Sequence, residues 1–132
     1  MGQVVVDASV VLGVLDPKDS HHAASVIALR TARSSGHKIV LPASAFAEVL
    51  VGASRLGPSA VRKTEAFVDS VIDVVQPIDR QIAKEAAALR SRYEGIRLPD
   101  ALVLAVGRIV NASAILTADA RKRVDRRVEL IR

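Results

Sequence analysis

Cysteine and tryptophan are absent from this chain of 132 residues, and aromatic residues make up only 2% of it. Without cysteine the chain can form neither disulfide bonds nor a thiolate metal site, and it offers no thiol nucleophile. The only aromatic residues are Phe46, Phe67 and Tyr93, so the core must be built from Val, Leu, Ile and Ala. These absences exclude a disulfide-stabilised secreted domain and favour a cytoplasmic protein.

Long hydrophobic runs are also missing. The N-terminal run VVV stops at Asp7, and ALVLAV (101–106) is far shorter than the roughly 20 residues that a membrane-spanning helix needs. No secretory signal peptide is recognisable, so we expect no membrane association. The hydrophobic share of 50% suffices for one ordinary core, and we expect a single domain over residues 1–132.

Positive charge exceeds negative charge, since 19 Lys and Arg residues against 14 Asp and Glu residues give a net charge of +5. A basic balance in a compact domain favours a polyanionic partner, most simply a nucleic acid, although a merely basic soluble protein has the same composition. The C-terminal segment ARKRVDRRVELIR (120–132) concentrates much of this charge. Its Val, Leu and Ile residues could pack, so we do not expect a disordered basic arm.

Short segments rich in β-branched residues alternate with longer segments of helical periodicity. This alternation predicts a parallel sheet covered on both faces, because parallel strands need crossover helices between them. We expect a single-domain α/β three-layer sandwich with a parallel sheet of four to five strands. The predicted strands are 3–7, 38–42, 73–77 and 113–119, with a short edge strand in RVELI (127–131). The predicted helices are 8–15, 20–36, 44–56 capped by Ser44, one opened by Pro58, one capped by Asp79, and one over 98–110.

Four carboxylates, those of Asp7, Glu48, Asp100 and Asp119, lie at element ends or on a helix face. Each has an ordinary structural explanation. Asp7 and Asp119 follow strands and could cap the next turn, and Asp100 lies in a first helical turn, where the macrodipole favours an acid. Glu48 could belong to a solvated helix face. Their placement relative to one another decides between these explanations and a functional cluster.

The two strand-end acids favour a ligand site. In open parallel sheets, ligands bind beyond the carboxyl ends of the strands, where the strand order reverses. If the first and fourth strands are neighbours, Asp7 and Asp119 flank that crevice, and Asp100 begins the helix that leads into the fourth strand. Convergent carboxylates repel unless a cation lies between them, and hard oxygen ligands suit Mg²⁺ or Mn²⁺. We expect a Mg²⁺ cofactor, for which Mn²⁺ could substitute. We also expect repulsion to strain the metal-free cluster, so that Asp100→Asn raises its melting temperature.

The order and spacing of these acids resemble those of the PIN-domain nucleases, and especially the VapC-type toxins of bacterial type II toxin–antitoxin pairs. The motifs are VVVDASVV with Asp7 and Ser9, FAEVLVG with Glu48, LPDALVLAVG with Asp100, and ILTAD with Thr117 and Asp119. The resemblance covers essentially the whole chain. Two departures are Ala8, which leaves Ser9 as the only hydroxyl after Asp7, and ARKRV after Asp119, where family members often carry an aromatic residue.

The resemblance implies a metal-dependent endoribonuclease that acts as a toxin, whose site a cognate antitoxin would occlude, and commonly a homodimer. Asp7, Glu48, Asp100 and Asp119 would be catalytic and would hold the metal, with Asp7 and Asp100 as direct ligands. Ser9 and Thr117 would be supporting residues that orient the carboxylates.

RNA recognition should depend on phosphate contacts and RNA shape, since so few aromatic residues leave little base stacking. Candidate phosphate contacts are Arg97, Arg121, Lys122 and Arg123, which lie nearest to the acids in sequence. Simple surface solvation is the alternative for each of them.

Other classes of protein also gather acids at strand ends. A receiver domain would need paired acids early in the chain and a lysine at a late strand end, which do not appear at matching places. A haloacid-dehalogenase-type phosphatase would need DxD where this chain has DAS (7–9). A catalytically silent nucleic-acid-binding module and an RNA-processing nuclease without an antitoxin both stay open.

Overall fold

The computed structural model describes residues 2–132 and contains one sheet of five parallel strands. The strands are β1 (Gln3–Val6), β2 (Lys38–Pro42), β3 (Val74–Gln76), β4 (Ala114–Thr117) and β5 (Val128–Leu130). Their order across the sheet is β3-β2-β1-β4-β5, and every neighbouring pair is parallel. The predicted strands are therefore confirmed, including the short edge strand near the C-terminus.

Six α-helices connect and cover these strands. They are α1 (Ala8–Leu15), α2 (His22–Ser34), α3 (Ala43–Leu56), α4 (Pro58–Val71), α5 (Arg80–Arg92) and α6 (Leu98–Ile109). A single turn of 3-10 helix over Ala120–Lys122 lies between β4 and β5. Within residues 2–132, none of the helices has the length and apolar character needed to cross a bilayer.

The sheet is covered on both faces, as the sequence predicted. Along β4, alternate side chains point to opposite sides. Ala114 and Leu116 line a cavity together with Ala28 of α2, whereas Ile115 faces α6. There Gly107 lets the helix backbone approach closely, since a Cβ at that position would lie 2.6 Å from Cγ1 of Ile115. The resulting three layers confirm the α/β sandwich.

The strand order reverses beside β1. The chain moves from β1 through β2 to β3 on one side and then crosses back to place β4 on the other side of β1. Such a reversal opens a crevice at the carboxyl ends of the two central strands. The backbone N–H of Asp7 donates to the carbonyl of Leu116 over 3.2 Å, so the ends of β1 and β4 lie side by side. The crevice therefore lies where the sequence places Asp7 and Asp119, at the ends of β1 and β4.

Two helix starts differ from the predictions. The helix predicted over 20–36 begins at His22, after a turn. The prediction that Ser44 caps α3 is wrong, because α3 begins at Ala43 and extended Pro42 precedes it as the capping residue. The Ser44 hydroxyl is buried and has no hydrogen-bond partner among the described residues. In contrast, Asp79 caps α5 as predicted, accepting the N–H of Ile82 over 2.9 Å.

Candidate active site

The carboxylate of Asp7 lies where β1 ends and α1 begins, and only 3% of the residue is exposed. It caps α1 by accepting the backbone N–H groups of Ser9 over 3.0 Å and of Val10 over 3.4 Å. The hydroxyls of Ser9 and Thr117 donate to its two different oxygens. The ordinary capping explanation is therefore correct for Asp7, and the extra donors fix the carboxylate in one orientation.

Ser9 and Thr117 also tie together the carboxyl ends of β1 and β4. The Ser9 hydroxyl accepts the backbone N–H of Ala118 over 3.1 Å, and the Thr117 hydroxyl accepts that of Asp119 over 2.9 Å. Each hydroxyl thus donates a hydrogen bond to Asp7 and accepts one from the backbone just after β4. The structure brings both predicted supporting residues into the cluster.

Asp100 is 5% exposed and lies in the first turn of α6. Its Oδ2 accepts the backbone N–H of Arg97 over 3.3 Å, which helps to satisfy the start of the helix. Its Oδ1 lies 2.9 Å from Nζ of Lys122. One carboxylate therefore serves the helix start and the acidic cluster at the same time.

Lys122 lies at the centre of the cluster, with only 6% of its side chain exposed. Its ammonium is 2.9 Å from Asp100, 3.1 Å from Asp7 and 3.5 Å from Asp119. Burial alone would lower the pKa of Lys122, but the Asp7 and Asp100 carboxylates outweigh it, and the pKa is raised. The ammonium is therefore charged at neutral pH.

The placement of Lys122 differs from the sequence-based expectation of an exposed phosphate contact. The 3-10 turn after Asp119 directs its side chain inward, and the carboxylates hold it there. In this arrangement the ammonium is not available to solvent. Two features of the sequence agree with this placement without being sufficient to predict it: Asp119 and Lys122 are three residues apart, and convergent acids need a cation between them.

The Arg121 side chain donates to both oxygens of Asp119: Nε lies 3.1 Å from Oδ1 and 3.2 Å from Oδ2, and Nη2 lies 2.9 Å from Oδ2. It also accepts the backbone N–H of Arg121 over 2.9 Å and so caps the 3-10 turn. The hydrogen bonds from the Arg121 side chain are the main reason why the pKa of Asp119 falls to about 2. Half of the Arg121 side chain is exposed, so this pair forms the rim of the site.

Glu48 projects from α3 towards the same crevice and is more exposed than the three aspartates. Partial burial raises its pKa; Lys122 opposes the shift, and the negative charges of Asp100 and Asp7 add to it. The crevice has a volume of about 150 Å³ and includes all four predicted acids in its lining. The sequence-based grouping of these acids therefore corresponds to one place in the fold.

The remaining predicted RNA contacts lie around the crevice or beyond it. Arg97 lines it, with 68% of its side chain exposed and its Nε 3.7 Å from Oδ2 of Asp100. Arg123 is exposed and is not part of the crevice lining. The arrangement is a buried acidic centre with arginines at its rim.

The donor atoms of the crevice suit a hard divalent cation. All four acids present carboxylate oxygens, the ligand type that Mg²⁺ and Mn²⁺ prefer, and a positive charge already lies among three of them. Within residues 2–132, however, no three acidic or imidazole groups are arranged to ligate a metal ion directly. The carboxylate oxygens are therefore suitable ligands for a divalent ion, but in this structure three of the acids contact the ammonium of Lys122 instead.

The chain belongs to the PIN domain family, whose family model matches residues 4–127. No curated protein sequence matches the chain. The likeness to solved structures extends over nearly the whole length on both sides. A toxin–antitoxin complex from Klebsiella pneumoniae has a TM-score of 0.77 at 19% identity, covering 98% of each chain.

Two further solved structures have the same fold. VapC20 of Mycobacterium tuberculosis, described as a toxin that cleaves the sarcin–ricin loop, has a TM-score of 0.76 at 17% identity, covering 98% of this chain and 100% of that one. DNA-bound VapBC of Salmonella typhimurium has a TM-score of 0.70 at 17% identity, covering all of both chains. At these identities the likeness establishes a shared fold.

Proposed function

We propose that this protein is a metal-dependent endoribonuclease that hydrolyses RNA phosphodiester bonds. The observation that carries this proposal is the convergence of Asp7, Asp100 and Asp119 on one buried cation, at the crevice where the strand order reverses. Membership of the PIN domain family supports the same reading. The domain responsible would span residues 1–132.

Asp7, Asp100, Asp119 and Glu48 would hold the divalent ion, with Mg²⁺ as the cofactor and Mn²⁺ as a substitute. When bound, such an ion supplies Lewis acidity towards phosphate oxygens and water. The hydroxyls of Ser9 and Thr117 keep both oxygens of Asp7 fixed, so the carboxylate needs little reorganisation when it engages a cation.

The substrate backbone would be bound by the arginines around the crevice. Arg97 and Arg121 have largely exposed side chains beside the acids, and Arg123 continues the basic surface beyond Arg121. Guanidinium groups there can contact phosphates on either side of the scissile bond. Arg121 would exchange part of its pairing with Asp119 for a phosphate.

For the biological role, we propose a cytoplasmic toxin of a type II toxin–antitoxin pair, forming a homodimer and bound by a cognate antitoxin. Solved structures of this fold include the Klebsiella pneumoniae toxin–antitoxin complex and VapBC of Salmonella typhimurium. The preference for an RNA substrate draws on the description of VapC20 as cleaving the sarcin–ricin loop.

The nuclease proposal is tested with purified protein and a structured RNA, incubated with Mg²⁺ or Mn²⁺ and with excess EDTA. Cleavage should occur only with the metal, and Asp7→Asn should abolish it. Asp79→Asn is the matched control, because Asp79 caps α5 outside the crevice and asparagine is an equally good cap. Undiminished cleavage in EDTA would contradict the mechanism, and no cleavage under any condition would favour a catalytically silent binding module.

The toxin proposal is tested separately by sequencing the region just upstream of the gene and co-expressing the chain with the product of any short reading frame found there. A stable complex that suppresses RNA cleavage and relieves growth inhibition is the expected result. Cleavage of RNA without toxicity and without such a partner would instead indicate an RNA-processing nuclease.

A further inference from the structure

Lys122 makes contacts that neither the metal mechanism nor surface binding of RNA requires. Its ammonium lies within 3.5 Å of three aspartates, and its side chain is 6% exposed. Burying a lysine so deeply is costly unless charged partners compensate for the lost hydration. The three carboxylates supply that compensation, so the placement is specific to this cluster.

Lys122 supplies a positive charge to a cluster of three aspartates. Asp7, Asp100 and Asp119 together carry three negative charges at one point. Arg97 approaches only Asp100, and Arg121 pairs only with Asp119. Among residues 2–132, Lys122 alone is ion-paired with all three, and it is the only cation paired with Asp7. Removing its charge would leave Asp7 without a cationic partner.

A divalent ion on these carboxylates would compete with the lysine for the same oxygens. The ammonium contacts Oδ2 of Asp7, Oδ1 of Asp100 and Oδ2 of Asp119. Two positive centres on one set of oxygens repel each other, and repulsion between buried charges is poorly screened. The ammonium and the ion therefore cannot both keep these contacts.

The surroundings of Lys122 allow its ammonium to move. Its side chain lines the crevice of about 150 Å³, and its backbone lies in a single 3-10 turn of three residues. A turn this short is held by few hydrogen bonds, and the lysine side chain has four rotatable bonds. A change of side-chain rotamers can therefore withdraw the ammonium without disturbing β4.

We propose that Lys122 is a built-in counter-cation that neutralises the three aspartates in the metal-free protein and must be displaced before a divalent ion binds. The inference rests on the proposed function only in that the crevice binds such an ion. It makes Lys122 a positioning residue: the metal-free cluster keeps its geometry, and metal affinity is lowered by the cost of moving the ammonium.

The first test measures Mn²⁺ affinity by isothermal titration calorimetry for the full chain and three variants. Lys122→Met keeps an unbranched side chain, one heavy atom shorter, and removes the charge, so it should bind Mn²⁺ about tenfold more tightly or better. Lys122→Arg keeps the charge and should bind no more tightly than the parent. Lys84→Met, on the exposed surface of α5, changes the net charge equally and should leave the affinity unchanged.

The result that overturns the inference is a folded Lys122→Met variant whose Mn²⁺ affinity equals or falls below that of the parent. A second measurement does not depend on that variant folding. In the ¹⁵N-lysine-labelled parent, the slowly exchanging Nζ signal of buried Lys122 should disappear when Mg²⁺ saturates the protein. A signal that persists unchanged at saturation also overturns the inference.

These measurements need no RNA and so separate the two proposals. A shift in Mn²⁺ affinity without any RNA cleavage would support the role of Lys122 and contradict the nuclease function. Metal-dependent RNA cleavage by the parent, with an unchanged Mn²⁺ affinity in Lys122→Met, would support the nuclease function and contradict the role of Lys122.

Discussion

The ammonium of Lys122 lies 2.9 Å from a carboxylate oxygen of Asp100, and both side chains are almost completely buried. This contact changes the expected electrostatics of the metal-free cluster. Repulsion among the aspartates would dominate if no cation lay between them, and removing one negative charge would then stabilise the fold. With Lys122 in place, removing the charge of Asp100 instead takes a partner away from a buried ammonium.

Asp100→Asn should therefore destabilise the metal-free protein, because breaking one side of a buried ion pair costs about 3 kcal/mol. Denaturant unfolding in EDTA measures this, with Asp79→Asn as a control expected to stay close to the parent. The sign is opposite to that expected from the sequence. A rise in the free energy of unfolding of Asp100→Asn would mean that repulsion dominates despite Lys122.

Thr117→Val removes a hydroxyl that donates to Asp7 and accepts the N–H of Asp119, while keeping the shape of a fully buried side chain. Leaving these groups without their partner should cost about 1–3 kcal/mol of stability. If Thr117 orients the acids, RNA cleavage should also fall by about 10–100-fold, the usual effect of losing such a supporting contact. Thr64→Val on α4 is the control, and full activity in Thr117→Val would show that its role is only structural.

The pair between Asp119 and Arg121 should make stability depend on pH in the acid range. The pKa of Asp119 is lowered from 3.8 to about 2 by this pairing, so the folded state favours the charged form. The stabilisation is complete above pH 3.8 and is lost as the pH falls towards 2. In metal-free denaturant series, the difference in unfolding free energy between the parent and Arg121→Gln should shrink over that interval. A difference that stays constant would show that the pair does not favour the charged Asp119.

Gly107→Ala should destabilise the fold although alanine is the better helix former. A Cβ at this position would overlap Cδ1 of Ile115, which valine lacks, and would come within 2.6 Å of its Cγ1, so α6 would have to move away from β4. Overpacking of this kind costs about 1–3 kcal/mol. The double variant Gly107→Ala/Ile115→Val should lose less stability than the sum of the two single variants. Strict additivity would show that the two residues do not clash.

The rim arginines should contribute to RNA binding in a salt-dependent way. Each phosphate contact that is lost should reduce the slope of log K against log salt by roughly 0.7 for single-stranded RNA. Binding titrations of Arg97→Ala and Arg123→Ala with a non-cleavable RNA measure this slope. Arg62→Ala on α4 is the control, and unchanged slopes in the rim variants would assign these arginines to surface solvation.

The sequence was sufficient to predict the sheet and the acidic site, and insufficient to predict the cation inside it. The runs at β1, β2 and β4 are apolar and β-branched because both faces of the sheet are covered, and this pattern is visible without a structure. Asp7 and Asp119 come at the ends of such runs, so their positions at the crevice follow once β1 and β4 are neighbours, a condition that was assumed from the sequence and that the structure shows.

Lys122 could not be placed in the same way. It lies among Arg121, Arg123 and other basic residues, a composition typical of a solvated surface. Its inward direction depends on the one 3-10 turn after Asp119, and a turn of three residues leaves no periodic pattern. The start of α3 also differs from the prediction. A polar cap at Ser44 was expected, but the helix begins at Ala43 after extended Pro42, which has no side chain that could mark it as a cap.

The hydrogen bond between Thr117 and Asp7 joins residues 110 positions apart in the chain. During translation, Asp7, Glu48 and Asp100 all leave the ribosome before the strand that holds Asp7 in place. A loop of this length can close only after β4 has emerged and docked beside β1. Chains truncated after Asp100 therefore contain three of the four acids and yet have no assembled site. A nascent chain that has not yet folded β4 against β1 therefore cannot hold Asp7 in its observed orientation, whichever acids it already contains.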